Sequence, residues 1–214
     1  MTLDAPLPRL LGRTTSINVR KVLWTAAEVG VALHHEDDWA DSRTTRTPEF
    51  LALNPNGLVP VLVGADGVLW ESNTICRYLA ATANRTDLLP AAPFARAEVE
   101  RWMDWQASDL NGAWRPAFPA LSRRDPVALQ NPRAIERSVE TWNRLMLLLE
   151  QRLAETGAYV AGANFTLADV VLGLSLQRWL LTPMARPATP ALLAYRQRLQ
   201  SRPTVQRWID PAIP

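Results

Sequence analysis

The spacing of apolar positions changes character near residue 84, and the two halves it separates predict different architectures. In the first half, Leu7 to Leu11 form a short apolar run that predicts a strand. Asn18 to Val29 then carry helical spacing, closed by Gly30. Val31 to Asp37 alternate loosely as a second strand, Pro48 to Leu53 predict a short helical turn, and Asn54-Pro55-Asn56-Gly57 is a turn by composition. Val59 to Val63 and Val68 to Trp70 flank Gly64-Ala65-Asp66-Gly67 and predict an antiparallel hairpin. Ile75, Tyr78 and Leu79 restart a helical face. The order is β-α-β-α-β-β-α, an α/β unit.

Between Asn84 and Pro93 the periodicity stops, and Pro90 and Pro93 bracket a segment with the look of an interdomain linker. Everything beyond it predicts helix. Trp102, Met103, Gln106 and Leu110 continue a stripe from Val99, and Ile135, Val139, Trp142, Met146, Leu149 and Leu153 keep i, i+3/i+4 spacing over several turns. Thr166-Leu167-Ala168-Asp169 ahead of Val170-Val171-Leu172 reads as a capping box, with Asp169 reaching back to a free backbone N–H. Further helices are expected over Pro190 to Gln200 and after Pro203. The expected division is therefore 1–83, a linker 84–92, and an all-α helical bundle 93–214.

Composition narrows the function classes. The formal net charge is +2 with no dense Lys/Arg tract, which argues against nucleic-acid binding. No apolar run approaches the roughly 20 residues that span a bilayer, and Met1 to Pro6 lack a basic segment followed by an apolar one, so a cytoplasmic location away from membranes is expected. Cys76 is the single cysteine, which excludes an intramolecular disulfide, a CxxC pair and a multi-cysteine metal site. His34 and His35 are adjacent in a strand and point to opposite faces, a poor chelate, so no metal is expected.

Four stretches, in order, carry a family resemblance: Ser16-Ile17-Asn18-Val19-Arg20-Lys21-Val22, Asn54-Pro55-Asn56-Gly57-Leu58-Val59-Pro60-Val61-Leu62, Glu71-Ser72-Asn73-Thr74-Ile75, and Gly162 followed by Phe165-Thr166-Leu167-Ala168-Asp169. With the predicted topology they resemble the cytosolic glutathione transferases over nearly the whole chain. The resemblance implies a thioredoxin-like first domain holding glutathione as co-substrate, a helical second domain shaping the pocket for a hydrophobic electrophile or a disulfide, and a homodimer. It implies a cis bond before Pro60, with Val59 pairing its backbone to the cysteinyl backbone of glutathione. It places Ser16 where theta- and delta-like members carry a serine, and nu-like members a threonine, that donates a hydrogen bond to the sulfur. Theta-like members usually have proline at position 18, whereas nu-like ones have an asparagine whose amide also reaches the sulfur.

The same residues have plainer roles. Ser16 and Asn18 sit where first-turn caps sit, and Glu71-Ser72 would cap the helix they open. Capping and ligand binding use the same free backbone donors, so Ser72 and that helix end can take the glutamyl α-carboxylate, with Glu71 opposite the α-ammonium. We rank Ser16 first, Asn18 second and Thr15 third as thiolate stabilisers; Thr14 is a neighbouring hydroxyl that could substitute. Leu58 stands where many members have Lys or Gln for the glycyl end, which leaves Arg46 or Arg43 as substitutes, although a loop charge is usually only solvated. Cys76 reads as a buried small hydrophobe. Trp102, Trp105, Leu110, Trp114 and Arg115 lie where the family's second-substrate pocket is lined, though tryptophan at helical spacing is more often core. Conjugation and glutathione-dependent disulfide reduction are both open, isomerisation and reductive dehalogenation have no separate support, and a non-catalytic ligand-binding or interaction module is the alternative.

Overall fold

The computed structural model describes residues 6–209. It divides into two compact units, Met1–Thr86 and Asp87–Pro214.

The first unit runs β1 (Arg9–Leu11), α1 (Ile17–Val29), β2 (His34–Glu36), α2 (Pro48–Leu53), β3 (Val61–Gly64), β4 (Gly67–Trp70) and α3 (Ser72–Thr82). The sheet order is β2-β1-β3-β4. β1 and β2 are parallel, joined through α1, and β3 runs antiparallel to both β1 and β4. Three strands are shorter than the apolar runs predict. Pro8 has no N–H for the ladder, the first paired residue of β3 is Val61 just after Pro60, and pairing of β2 begins at His34. The hairpin closes with Gly64 opposite Gly67, as the turn composition predicts.

Residues paired across strands share a face. Leu11 and Val61 therefore point together and join Trp39 and Phe50 in a core cluster, with Leu53, Val59 and Val63 packed around it. The Trp39 and Phe50 rings are 4.9 Å apart. Leu10 and Leu62 fill the opposite face, and α1 packs against α3. Gly30 ends α1 at φ 73°, the left-handed conformation that glycine adopts without a steric penalty. Lys21, the only lysine in the sequence, is buried and donates to Asn73 Oδ1 at 3.2 Å.

The second unit contains α4 (Pro93–Trp105), α5 (Asn111–Trp114), α6 (Ala117–Arg123), α7 (Pro132–Thr156), α8 (Leu167–Leu181), α9 (Pro190–Gln200) and α10 (Gln206–Ile209). α8 is apolar nearly all round and buried from Leu167 to Trp179, so it is the centre against which α4, α9 and α10 pack. α7 buries the stripe Trp142, Met146, Leu149 and Leu153 and exposes Leu147 and Leu148. The stripe from Val99 is helical as expected, but not uniformly. Gln106–Leu110 form a π-turn that inserts an extra residue between α4 and α5. A buried amide holds it: Gln106 Nε2 donates to Asn111 Oδ1 and to Ser175 Oγ, both at 3.0 Å. Among the described residues no helix is long and apolar enough to cross a membrane.

The capping box at Thr166 to Asp169 forms. Asp169 Oδ2 accepts from the Thr166 backbone N–H at 2.8 Å and from its hydroxyl at 3.2 Å. Oδ1 accepts from Val160 N–H at 3.0 Å and from the Tyr195 hydroxyl at 2.8 Å. One fully buried carboxylate thus joins the loop before α8, the start of α8 and α9.

Candidate active site

The first turn of α1, the loop before β3 and the start of α3 carry the residues singled out in the sequence. Ser16 takes the N-cap position of α1 with extended backbone, φ −81° and ψ 121°, and its carbonyl accepts the N–H of Arg20. Its side chain makes no capping hydrogen bond. The hydroxyl is half-buried at the positive end of a 13-residue helix and is not spent on that helix. Thr14 is different: its N–H and hydroxyl both donate to Asp37 Oδ1, the hydroxyl at 2.7 Å, so it fixes the β1–α1 turn and is no substitute for Ser16. Thr15 is exposed.

Gly12 lets that turn approach the loop before β3. At φ 142° a Cβ there would stand 2.6 Å from Val19 Cγ2 and 2.8 Å from Val59 Cβ. Its carbonyl is held by His35 Nε2 at 2.7 Å, which occupies His35 structurally. Among the described residues no group of His, Cys, Asp and Glu could hold a metal ion.

The Val59–Pro60 bond is cis. The loop that presents it is organised by the buried Asn54, which does more than open the turn. Asn54 Nδ2 donates to Leu58 O at 2.8 Å, while Oδ1 accepts from Asn56 N–H at 3.1 Å. An asparagine opening Asn-Pro-Asn-Gly carries the Asx-turn signal for this role in the sequence itself. Thr45 adds a bond from its hydroxyl to Gly57 O at 2.8 Å. Leu58 itself is 61% exposed.

The two arginine candidates separate clearly. Arg43 lies 3.6 Å over the Trp39 ring and reaches Asp38 at 3.5 Å and Glu36 at 3.6 Å. Glu36 is held below the usual carboxylate range first by its hydrogen bond from Arg9, then by the bond from Trp39 and the charges of Arg9 and Arg43. Arg46 lies against the turn beside Leu58: its guanidinium would be 2.7 Å from a Cβ at Gly57, and it faces Asn56 O at 3.5 Å.

At the start of α3, Glu71 is exposed, with φ 72° and ψ 108°, a region that costs a non-glycine residue about 1–3 kcal/mol. It occupies the N-cap yet makes no side-chain cap bond, which leaves first-turn N–H groups of α3 without a side-chain cap. Ser72 is buried, and its hydroxyl donates to Asn18 Oδ1 at 3.4 Å, linking the starts of α3 and α1. Cys76 is fully buried on α3 and burial pushes its thiol up to about 11, so it is no nucleophile.

In the second unit, Trp102 is buried with its ring edge-on to Trp105 at 5.4 Å, a core role. Leu110 has no exposed surface and takes a core position rather than a lining one. Trp105 and Trp114 are half-buried and Arg115 is exposed. Trp114 donates to Asn111 Oδ1 at 3.1 Å, and the Arg178 guanidinium lies 4.6 Å from its ring and 4.1 Å from that of Phe118.

Comparison with known proteins gives the fold a family. Residues 15–82 match the model for the glutathione S-transferase N-terminal domain, and residues 129–212 match that for its C-terminal domain. Glutathione S-transferase GstB of Escherichia coli K12 is 34% identical over 200 residues, covering 92% of this chain and 95% of that protein. The crystal structure of the theta class glutathione S-transferase from Xanthomonas axonopodis pv. citri with glutathione bound superposes with a TM-score of 0.89 at 38% identity, covering 98% of this chain and all of the other. Elongation factor 1-gamma of Prunus avium is 32% identical over 166 residues, 76% of this chain and 37% of that protein. The chain belongs to the glutathione S-transferase family.

Proposed function

We propose that the protein is a glutathione transferase in which the tripeptide sulfur lies over the first turn of α1 and is held there as a thiolate. The observation that carries this reading is the Ser16 hydroxyl, placed at the positive end of α1 and unspent on capping. A free thiol titrates near 8.5, and each pH unit of depression needs about 1.4 kcal/mol of preferential thiolate stabilisation. A hydroxyl donor and a helix N-terminus together can supply one or two such units. Asn18, two residues into the helix, is the second donor, and Thr15 ranks third.

The rest of the ligand follows the same surface. The Val59 backbone before Pro60 pairs with the cysteinyl unit. Ser72 and the first-turn N–H groups of α3 receive the glutamyl α-carboxylate, and the exposed Glu71 carboxylate faces the α-ammonium. Arg46 beside Leu58 takes the glycyl carboxylate, in place of the Lys or Gln that the resemblance leads one to look for at position 58. Trp105, Trp114 and Arg115, the residues proposed for the second substrate, present aromatic surface and a charge on the helical unit.

The thiolate attacks an electrophilic carbon, forming a C–S bond as the leaving group departs with its electron pair, or it attacks a disulfide sulfur and expels a thiolate. In the second case a further glutathione resolves the mixed disulfide, since Cys76 is buried and unreactive. Millimolar glutathione is expected to raise the thermal midpoint, and the enzyme to turn over a chlorodinitrobenzene-type acceptor or hydroxyethyl disulfide. Absence of both the shift and the turnover would replace this reading with that of a non-catalytic module.

Arg46→Ala is expected to raise KM for glutathione about 3- to 10-fold with little change in kcat, because it removes a charge-assisted contact that forms on binding. Arg43→Ala should leave KM within about twofold, as its partners are Trp39, Glu36 and Asp38. Steady-state kinetics at saturating acceptor checks the pair, and the reverse order would reject the assignment of Arg46.

A further inference from the structure

Ser16 reaches the start of α1 through a tight turn. Its N–H donates to Arg13 O at 3.0 Å, which makes Arg13 to Ser16 a β-turn with Thr14 and Thr15 as the central pair. That turn is fastened to the end of β2 and the residues just after it. Gly12 N–H donates to Glu36 O and Arg13 N–H to Trp39 O, both at 3.0 Å. Gly12 O accepts from His35 Nε2 at 2.7 Å, and Thr14 gives both its N–H and its hydroxyl to Asp37 Oδ1. Asp37 is exposed, and an exposed carboxylate is ordinarily left to water. Its neighbours hold this one in place. Glu36 accepts from Arg9 at 2.6 Å and from Trp39 Nε1 at 2.9 Å, and Trp39 is packed in the core cluster with Phe50. Resting on the glutathione reading above, we propose that Asp37 is a positioning residue for the thiolate chemistry. It acts through Thr14, two residues before Ser16, and fixes where the Ser16 hydroxyl meets the glutathione sulfur.

The contribution is geometric, and its sign separates it from a charge effect. A carboxylate acting through space on a nearby thiol raises the thiol's ionisation midpoint, so removing the charge lowers that midpoint. A carboxylate that aims a hydrogen-bond donor at the sulfur has the opposite effect, so removing its hydrogen bonds raises the midpoint. Asparagine keeps an oxygen acceptor for both Thr14 donors and drops the charge, whereas alanine drops both.

The test follows glutathione bound to the full chain, by ultraviolet titration of its thiol and by steady-state kinetics with the better of the two acceptors named above. Asp37→Ala is expected to raise the bound midpoint by about half to one pH unit, roughly a three- to tenfold loss of thiolate. It should lower kcat about tenfold, as a displaced catalytic donor does, with KM for glutathione within about twofold. Asp37→Asn is expected to return kcat to within about twofold of the unaltered protein and the midpoint to its value or below. Thr14→Val keeps the N–H and loses the hydroxyl, so it should fall between, and Thr14→Ser should match the unaltered protein. The Thr14 pair carries the test if Asp37→Ala does not fold. An unmoved midpoint in Asp37→Ala or in Thr14→Val overturns the proposal, as does an Asp37→Asn variant that behaves like Asp37→Ala. A depressed midpoint that none of these variants moves leaves the glutathione reading standing and removes only the role of Asp37. If the unaltered protein binds no glutathione, or binds it with the midpoint of the free tripeptide, both fall.

Discussion

Replacing Asp169 by alanine is expected to cost the fold about 3–5 kcal/mol and to lower Tm by roughly 6–20 °C. Asp169 is fully buried and accepts from Val160 N–H, Thr166 N–H, the Thr166 hydroxyl and the Tyr195 hydroxyl. Alanine leaves those buried donors without an acceptor and opens a space between three segments of the chain. Urea melts of the two proteins check this, and a loss below about 1 kcal/mol would show that the carboxylate is replaceable by water.

The same group gives a pH signature. Burial pushes its carboxyl up to about 6, against the pull of the four hydrogen bonds. The folded pKa lies above the unfolded one, so the folded state holds more protons between about 4 and 6. The contribution is therefore fully present below about pH 4 and is lost as the pH rises through about 6. The carboxamide of an Asp169→Asn variant does not titrate. The stability gap between the two proteins should therefore be larger in favour of the unaltered chain at about pH 4.5 than at about pH 7.5, read from paired melts.

The second large effect is on chemistry. Ser16→Ala is expected to lower kcat/KM about 10- to 150-fold, the worth of one hydrogen bond to a charged group. The ionisation midpoint of bound glutathione should rise by about one to two pH units, carrying the alkaline-rising limb of the pH–rate profile with it. Stability should change by no more than about 0.5 kcal/mol, because the Ser16 side chain makes no capping bond to lose. An ordinary N-cap serine gives the opposite pattern, about 1 kcal/mol of stability lost and the thiol unmoved. That pattern here would return Ser16 to a structural role.

The architecture is written in local signals. Period-two and period-3.6 runs, Gly30 after α1, proline at the first turn of α4, α7 and α9, and the Thr166–Asp169 box each speak for their own segment. What escapes a linear reading is what depends on a distant partner or on an inserted residue. Nothing near Ser72 announces Asn18, and nothing near Arg43 announces that Trp39 and Glu36 will occupy it. Thr14, Thr15 and Ser16 look alike as adjacent hydroxyls until Asp37 claims the first. The π-turn at Gln106–Leu110 shifts the side chains after it by about 100° around the helix axis, although the stripe from Val99 through Trp102, Met103, Gln106 and Leu110 stays buried. The bond that ties it to α8, from Gln106 to Ser175, spans 69 residues.

If Glu71 meets the ligand ammonium as proposed, its backbone sets folding against recognition at a single position. Glycine would occupy φ 72° with ease and still open α3 through the carbonyl that receives Ile75 N–H, but it would bring no negative charge to the surface. Glycine at 71 is thus expected to make the chain somewhat more stable, at the loss of the carboxylate that the proposed site sets opposite the ligand ammonium. A screen that selects this protein for heat resistance alone should therefore drift toward glycine at 71 and away from the ability to select amines.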